Sequence, residues 1–247
     1  MSTMKKQRTF ASKMALILGV SVICIFTFIN SVTIYFAGKG LLEKEREENF
    51  ANAKFLSGKI EETTGEVETN VRSHQIAVNH DAVDFEELQR LLNDMMNYDN
   101  LSRAFVFITP GKAHTGENGM MLEIVRNSDG TKTFRQSPSS YKFQTYPYYL
   151  VPVRLYKGYW TFPYNIGKDQ VITYSYPLND GDGKIYGVLG ADIRLRQITD
   201  TLMEISNIDG LKQHIVVTSC DGRYMIHNDI GKIVNETIFT DARSNSC

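Results

Sequence analysis

The sequence predicts an α+β fold entered through a membrane-spanning helix, and three observations predict it. Met14 to Gly38 is a run of 25 residues without Asp, Glu, Lys, Arg or His. From Leu41 to about Asn79, apolar residues recur at helical spacing. From Ser102 onward the apolar period changes to two, and Asp-Gly pairs separate the alternating runs.

The centre of the uncharged run, Ala15 to Ile29, is strongly apolar, and a bilayer core needs only about 20 such residues as helix. A cleaved signal peptide has an apolar region of about 7–15 residues and a small-x-small cleavage site. Here the run is longer and ends in bulky Ile34, Tyr35 and Phe36, so a retained anchor is expected. Lys5, Lys6, Arg8 and Lys13 precede it with no acidic residue among them, against Lys39, Lys44 and Arg46 beyond it. That balance favours a cytoplasmic tail over residues 1–13, an anchor over 14–38, and the remainder on the far, periplasmic side of the inner (plasma) membrane.

In the next segment Leu56, Ile60, Val67, Val71 and Val78 are spaced 4, 7, 4 and 7. An eleven-residue repeat of this kind keeps one stripe on one face of a nearly straight helix. Glu61, Glu62, Glu66, Glu68 and Arg72 occupy the other faces. Asp84 is placed to cap a second helix whose apolar face is Leu88, Leu91, Leu92, Met95 and Met96.

Strands follow. Ala104 to Ile108 ends at Thr109-Pro110-Gly111. Met120–Arg126 and Thr131–Arg135 flank Asp129-Gly130, the signal for a tight hairpin. Gln170–Tyr176 and Lys184–Ile193 form a second hairpin around residues 179–183, and Thr199–Ser206 a short helix. His214–Ser219 and Arg223–His227 form a third hairpin around Asp221-Gly222. Only about 40 residues follow Ile208, few for an independent core, so residues 208–247 read as the start of an incomplete second domain after a first spanning 39–207.

Composition narrows the chemistry. The net charge is −1 and no basic stripe is present, which argues against a nucleic-acid partner. Cys24, Cys220 and Cys247 give no disulfide framework; a Cys220–Cys247 bridge is one alternative, but free thiols are expected. His74, His80, His114, His214 and His227 lack metal-ligand spacing, and no nucleophile, zinc or phosphate-binding motif is present, so no cofactor or metal is expected. Residues 179–183 read NDGDG, but a calcium loop starting at Asp180 would put Lys184 and Ala191 where oxygen ligands belong; a hairpin turn fits better.

The most unusual stretch is aromatic. Tyr141 to Tyr164 spans 24 residues and holds ten of the 27 aromatics and three of the six prolines. Clustered in a proline-broken segment without periodicity, these rings read as loops on a rigid sheet, where binding sites concentrate. Tyr and Trp join an apolar face to a hydrogen-bonding tip, which suits the wall of a small-molecule pocket.

Tyr148-Tyr149, the run GYWTFPYN at 158–165, Val171 to Leu178, and Asp182 to Ile193 together resemble the distal half of a double Cache sensor domain. Asp221 to His227 with Ile230-Gly231-Lys232 is similar to the opening of its membrane-proximal half. The resemblance implies an extracytoplasmic small-molecule sensor: two PAS-like antiparallel sheets on a long signalling helix, the second incomplete here. A second span would then lead to a cytoplasmic histidine kinase, serine phosphatase or chemoreceptor output. It implies a homodimer through the long helix. It also implies a ligand in the distal sheet, with Tyr149 in the place of the Tyr of a Trp-Tyr pair and Tyr148 in that of the Trp. Tyr164 and Asn165 match a pocket Tyr and a position that is often Asp, and Asp192 matches a carboxylate at a strand end. Trp160 and Tyr174 complete the candidate ligand-binding set. In amino-acid-binding members an Arg two residues before the Trp-Tyr pair holds the ligand carboxylate and the Asp pair its amine. Here Tyr146 and Asn165 stand in two of those places. Two other functions are weighed against this one, a membrane-anchored extracytoplasmic enzyme and a structural surface protein.

Overall fold

The computed structural model describes residues 2–77, 84–110, 119–137, 142–206, 215–227, 229–233 and 235–240. Val78, His80, His114, Tyr141, His214 and Cys247, with the bridge to Cys220, lie outside the described residues. The chain forms two compact units, Met1–Ser57 and Gly58–Cys247.

Helix α1 runs from Ser2 to Ala77. In the first unit it is long and apolar enough to cross a membrane, with Val22, Phe26 and Ile29 exposed. Within its apolar stretch the hydroxyls of Thr27, Ser31 and Thr33 donate to the carbonyls of Ile23, Thr27 and Ile29. Such back-bonding satisfies these three donors in an apolar surround.

In the second unit the expected stripe on α1 is buried at Val67 and Val71, at 1% and 0% exposure, and half-buried at Ile60. Helix α2, Phe85–Met95, opens as expected on Asp84, whose carboxylate accepts from the backbone N–H of Glu86. Leu88, Leu91, Leu92 and Met95 form its buried face.

The sheet comprises β1 (Arg103–Ile108), β2 (Met120–Arg126), β3 (Lys132–Gln136), β4 (Tyr159–Trp160), β5 (Tyr164–Ile166), β6 (Asp169–Asn179) and β7 (Ile185–Arg194). Its order is β3-β2-β1-β7-β6-β4, with β5 also on β6, and every pairing is antiparallel. The hairpins expected around Asp129-Gly130 and residues 179–183 are the β2–β3 and β6–β7 pairs. β1 is central and buried along its whole length, which explains its continuous apolar run. Phe105 lies opposite Gly190 of β7; a Cβ on Gly190 would collide with the Phe105 ring, so glycine is required for that close approach.

The aromatic stretch is not wholly loop. Pro147–Leu155 is helix α3, begun by Pro147 in its first turn and closed by Tyr156 at φ 54°. Proline suits a first helical position because its missing N–H would be unpaired there anyway. β7 passes into α4, Leu195–Ser206, with no intervening residue. That helix starts four residues before the Thr199 that sequence periodicity marks. The third hairpin is short, β8 (Val217–Thr218) against β9 (Tyr224–Ile226).

Candidate ligand-binding site

Strand alternation sorts the sheet into two faces. Arg103, Phe105 and Phe107 of β1 share one face with Glu123 and Met121 of β2, Asp192, Gly190 and Val188 of β7, and Thr173 and Ser175 of β6, by their register. Helix α3 covers this face. Phe105, Phe107, Met121, Phe143, Tyr148, Tyr149 and Val188 form one buried cluster, against which Val153 and Tyr164 pack. The Phe107 ring stacks on Tyr148 at 5.6 Å and on Phe143 at 4.6 Å. Tyr146 stacks on the outer side of Tyr148 at 5.2 Å.

Beside this cluster lies a cavity of about 340 Å³ lined by Tyr146, Pro147, Tyr148, Tyr159, Thr161, Phe162, Pro163 and Tyr164. No lining residue carries a charge. Beneath Tyr164 a polar chain runs into the sheet. The Tyr164 hydroxyl lies 2.6 Å from Thr173 Oγ1, and Thr173 Oγ1 lies 2.7 Å from Asp192 Oδ1. Arg103 Nε donates to Asp192 Oδ2 at 2.7 Å, and Arg103 Nη1 donates to Glu123 Oε2 at 3.1 Å. Paired with a guanidinium, the Asp192 carboxylate only accepts. Thr173 therefore spends its proton on Asp192, and its oxygen accepts the proton of Tyr164. The chain has one direction, from the cavity wall inward.

Asp192 is 1% exposed and Arg103 9%. Burial lowers the Arg103 pKa, but its electrostatic interactions with Asp192, then Tyr164 and Glu123, outweigh it, and the net shift is upward. The guanidinium also lies 4.8 Å from the Phe105 ring centroid, and its Nη2 is buried without a hydrogen-bond partner among the described residues. A second cavity of about 110 Å³ adjoins this end, with Arg103, Glu123, Arg135, Asp169, Asp192 and Arg194 among its lining.

The seven residues singled out from sequence are not brought together as one set. Tyr148 and Tyr164 line the large cavity. Tyr149 stands behind it, edge-on to Phe107 and Phe143, and burial raises its pKa. Asp192 lies below, held by Thr173 and Arg103, and lines the second cavity instead. Asn165 alternates away from Tyr164 on β5 and is exposed. Trp160 and Tyr174 lie on the opposite face of the sheet: they pair across β4 and β6 with ring centroids 5.2 Å apart. The Trp160 indole N–H donates to Glu68 of α1 at 2.8 Å. Both rings thus pack toward the long helix, away from the cavity.

Arg103, Thr173 and Glu123 escaped the sequence reading. Their signal is present nonetheless: Arg103 and Glu123 are the one charge each in the apolar runs RAFVFI and MMLEIV, and Thr173 is one of two small hydroxyls in VITYSY. Period two places all three on the Phe105 face once the register is known.

Residues 88–200 match the family model described as the methyl-accepting chemotaxis protein-like, first PDC sensor domain. Over those residues the chain is similar to a PDC-type sensor domain. A search of curated protein sequences returns no match. Solved structures share the fold. Methyl-accepting chemotaxis protein X superposes with a TM-score of 0.65 at 16% identity, over 79% of this chain and 80% of that one. The periplasmic sensory domain of the Campylobacter jejuni chemoreceptor Tlp1 gives 0.60 at 12% identity, over 74% and 72%. The ligand-binding domain of the Pseudomonas aeruginosa PAO1 amino-acid chemoreceptor PctC, solved with GABA, gives 0.56 at 18% identity, over 76% and 79%. At these identities the likeness is one of fold. The sensor domain lies on the chain after a helix able to cross a membrane, as suits a membrane protein with an extracellular sensor.

Proposed function

We propose that this chain is the extracytoplasmic sensor region of a transmembrane signalling receptor and that its ligand is a small molecule held in the aromatic cavity of the sensor domain. The cavity itself carries the reading. Its volume of about 340 Å³ falls within the range of about 300–1,000 Å³ usual for small-molecule sites, and it opens beside α3 inside the segment matched to the sensor family.

Tyr148 and Tyr164 contact the ligand, Tyr149 backs the wall, and Asp192 acts from below through Thr173. Binding favours one arrangement of α3 and the β4–β5 segment over another, and that difference in affinity biases the helices leaving the domain. Residues 14–38 cross the inner membrane with residues 1–13 in the cytoplasm. Residues 39–207 form the membrane-distal sensor, 208–247 begin the membrane-proximal one, and two copies pair through the long helix. The output is of kinase, phosphatase or chemoreceptor type. GABA in PctC and L-valine in the Campylobacter jejuni receptor Tlp3 support a small organic molecule as the class of ligand.

A thermal-shift screen of the full chain in detergent against a metabolite panel tests this. A ligand at about 100 times its dissociation constant adds roughly 2.7 kcal/mol. Tyr146 lines the cavity yet is 41% exposed, so Tyr146→Ala should abolish the shift and leave the unliganded midpoint nearly unchanged. A shift that survives Tyr146→Ala unaltered, or a panel with no hit, refutes the cavity as the site.

A further inference from the structure

We infer that Arg103 determines the ligand class of this site: it claims the Asp192 carboxylate for itself, so the cavity takes an uncharged ligand that packs on tyrosine rings and has no ammonium seated on Asp192. The inference rests on reading the aromatic cavity as the ligand site and adds to it which chemistry the site accepts.

Three observations carry it. First, both carboxylate oxygens of Asp192 are engaged, Oδ2 by Arg103 Nε and Oδ1 by Thr173, each at 2.7 Å. At 1% exposure the carboxylate does not reach the aromatic cavity, whose lining does not include it. To sit on it, an amine must displace Arg103 and leave that buried guanidinium with Glu123 alone, which is unfavourable.

Second, the charges below are matched among themselves. Arg103 pairs with Asp192 and Glu123 and Arg194 with Asp169, around the second cavity that Arg135 also lines, three bases to three acids. An anionic ligand finds no cation in the lining of the aromatic cavity. A charge of either sign placed on those rings loses hydration without gaining a partner.

Third, the hydrogen-bond chain sets what the wall presents. Tyr164 gives its proton inward to Thr173, so it has none to offer a ligand. A flat, apolar body matches the rings of Tyr148 and Tyr159 that line the cavity. Arg103 thus acts through Asp192 and Thr173 without touching the ligand.

Two measurements on the full chain in detergent test the inference. In the first, arginine-selective ¹⁵N labelling follows the Arg103 Nε–H resonance, assigned with Arg103→Gln. A resonance protected from solvent exchange, unmoved by saturating L-norvaline or γ-aminobutyrate, is expected. Rapid exchange in the free chain, or loss of protection on adding either amine, overturns the inference. In the second, thermal shifts are compared for matched probes, indole and p-cresol against L-norvaline and γ-aminobutyrate. A shift with the uncharged probes alone is expected. An amine shift abolished by Asp192→Asn overturns the inference while leaving the cavity intact as a ligand site. Arg103→Met opens Asp192 and is expected to gain at least tenfold affinity for γ-aminobutyrate. The wild-type resonance decides the matter should that variant not fold.

Discussion

Asp192→Asn is expected to be among the most destabilising conservative changes in the sensor domain. The substitution keeps the shape and the Thr173 contact but removes the charge that faces Arg103 at 2.7 Å. The guanidinium, 9% exposed, then keeps only Glu123, 3.1 Å away and itself largely buried. Breaking one partner of a buried ion pair costs about 3–5 kcal/mol. For a unit of this size each kcal/mol lowers the thermal midpoint by about 2–4 °C, so the expected fall is about 6–20 °C. Trp160 is the only tryptophan and sits on the sheet, so its fluorescence follows unfolding of this domain directly. The sign of the argument is checked by Arg103→Met/Asp192→Leu, which leaves one unpaired acid, Glu123, where Arg103→Met leaves two, and should melt above Arg103→Met. A fall of less than about 4 °C for Asp192→Asn, or a double variant melting below Arg103→Met, would refute the pairing as the support of this face.

Three further outcomes are expected. Glu68→Gln replaces a charged acceptor of the Trp160 indole N–H by a neutral one; since charge-assisted bonds exceed neutral ones by about 1 kcal/mol, the midpoint should drop by about 2–4 °C and Trp160 emission should shift. Arg223 lies 5.1 Å from the Phe162 ring, and Arg223→Ala removes an exposed cation–π contact of about 0.5–1 kcal/mol. Hydrogen exchange of the amides over residues 159–166 should then quicken roughly two- to fivefold, with global melting little changed. Tyr174 and Tyr186 are each pushed up to about 12, chiefly by burial and then by the charges of Glu68 and Asp180. The fold therefore favours the neutral phenols: their contribution is whole below the unfolded value near 10 and is lost as pH rises from about 10 to 12. Tyr174→Phe/Tyr186→Phe should flatten the fall of the thermal midpoint across that window.

Much of the fold was legible because its signals are local. Spacing marked Val67 and Val71 as the inward stripe of α1, Asp84 as a cap and Asp129-Gly130 as a turn, and all are so in the structure. Helix α3 was hidden because Pro147 and Pro152 read as breakers, although the first starts the helix and the second is tolerated within it. Strand order was not legible either: β1 pairs with β7 across about 90 residues, and no local period encodes a partner that distant. The same distance concealed Arg103 opposite Asp192. Trp160 and Tyr174 were grouped with the pocket tyrosines because a two-residue strand such as β4 is too short to show which side each ring takes.

The direct passage of β7 into α4 has a mechanical consequence. Asp192 stands three positions before Leu195, where the helix begins, with no loop between. A loop would absorb a small displacement as local backbone adjustment. Here there is no such slack, so a shift of half an ångström or so at the Asp192 end of the sheet must appear as a tilt or translation of α4. The stiffness of that joint sets how much of a ligand's push leaves the domain as motion and how much is dissipated within it.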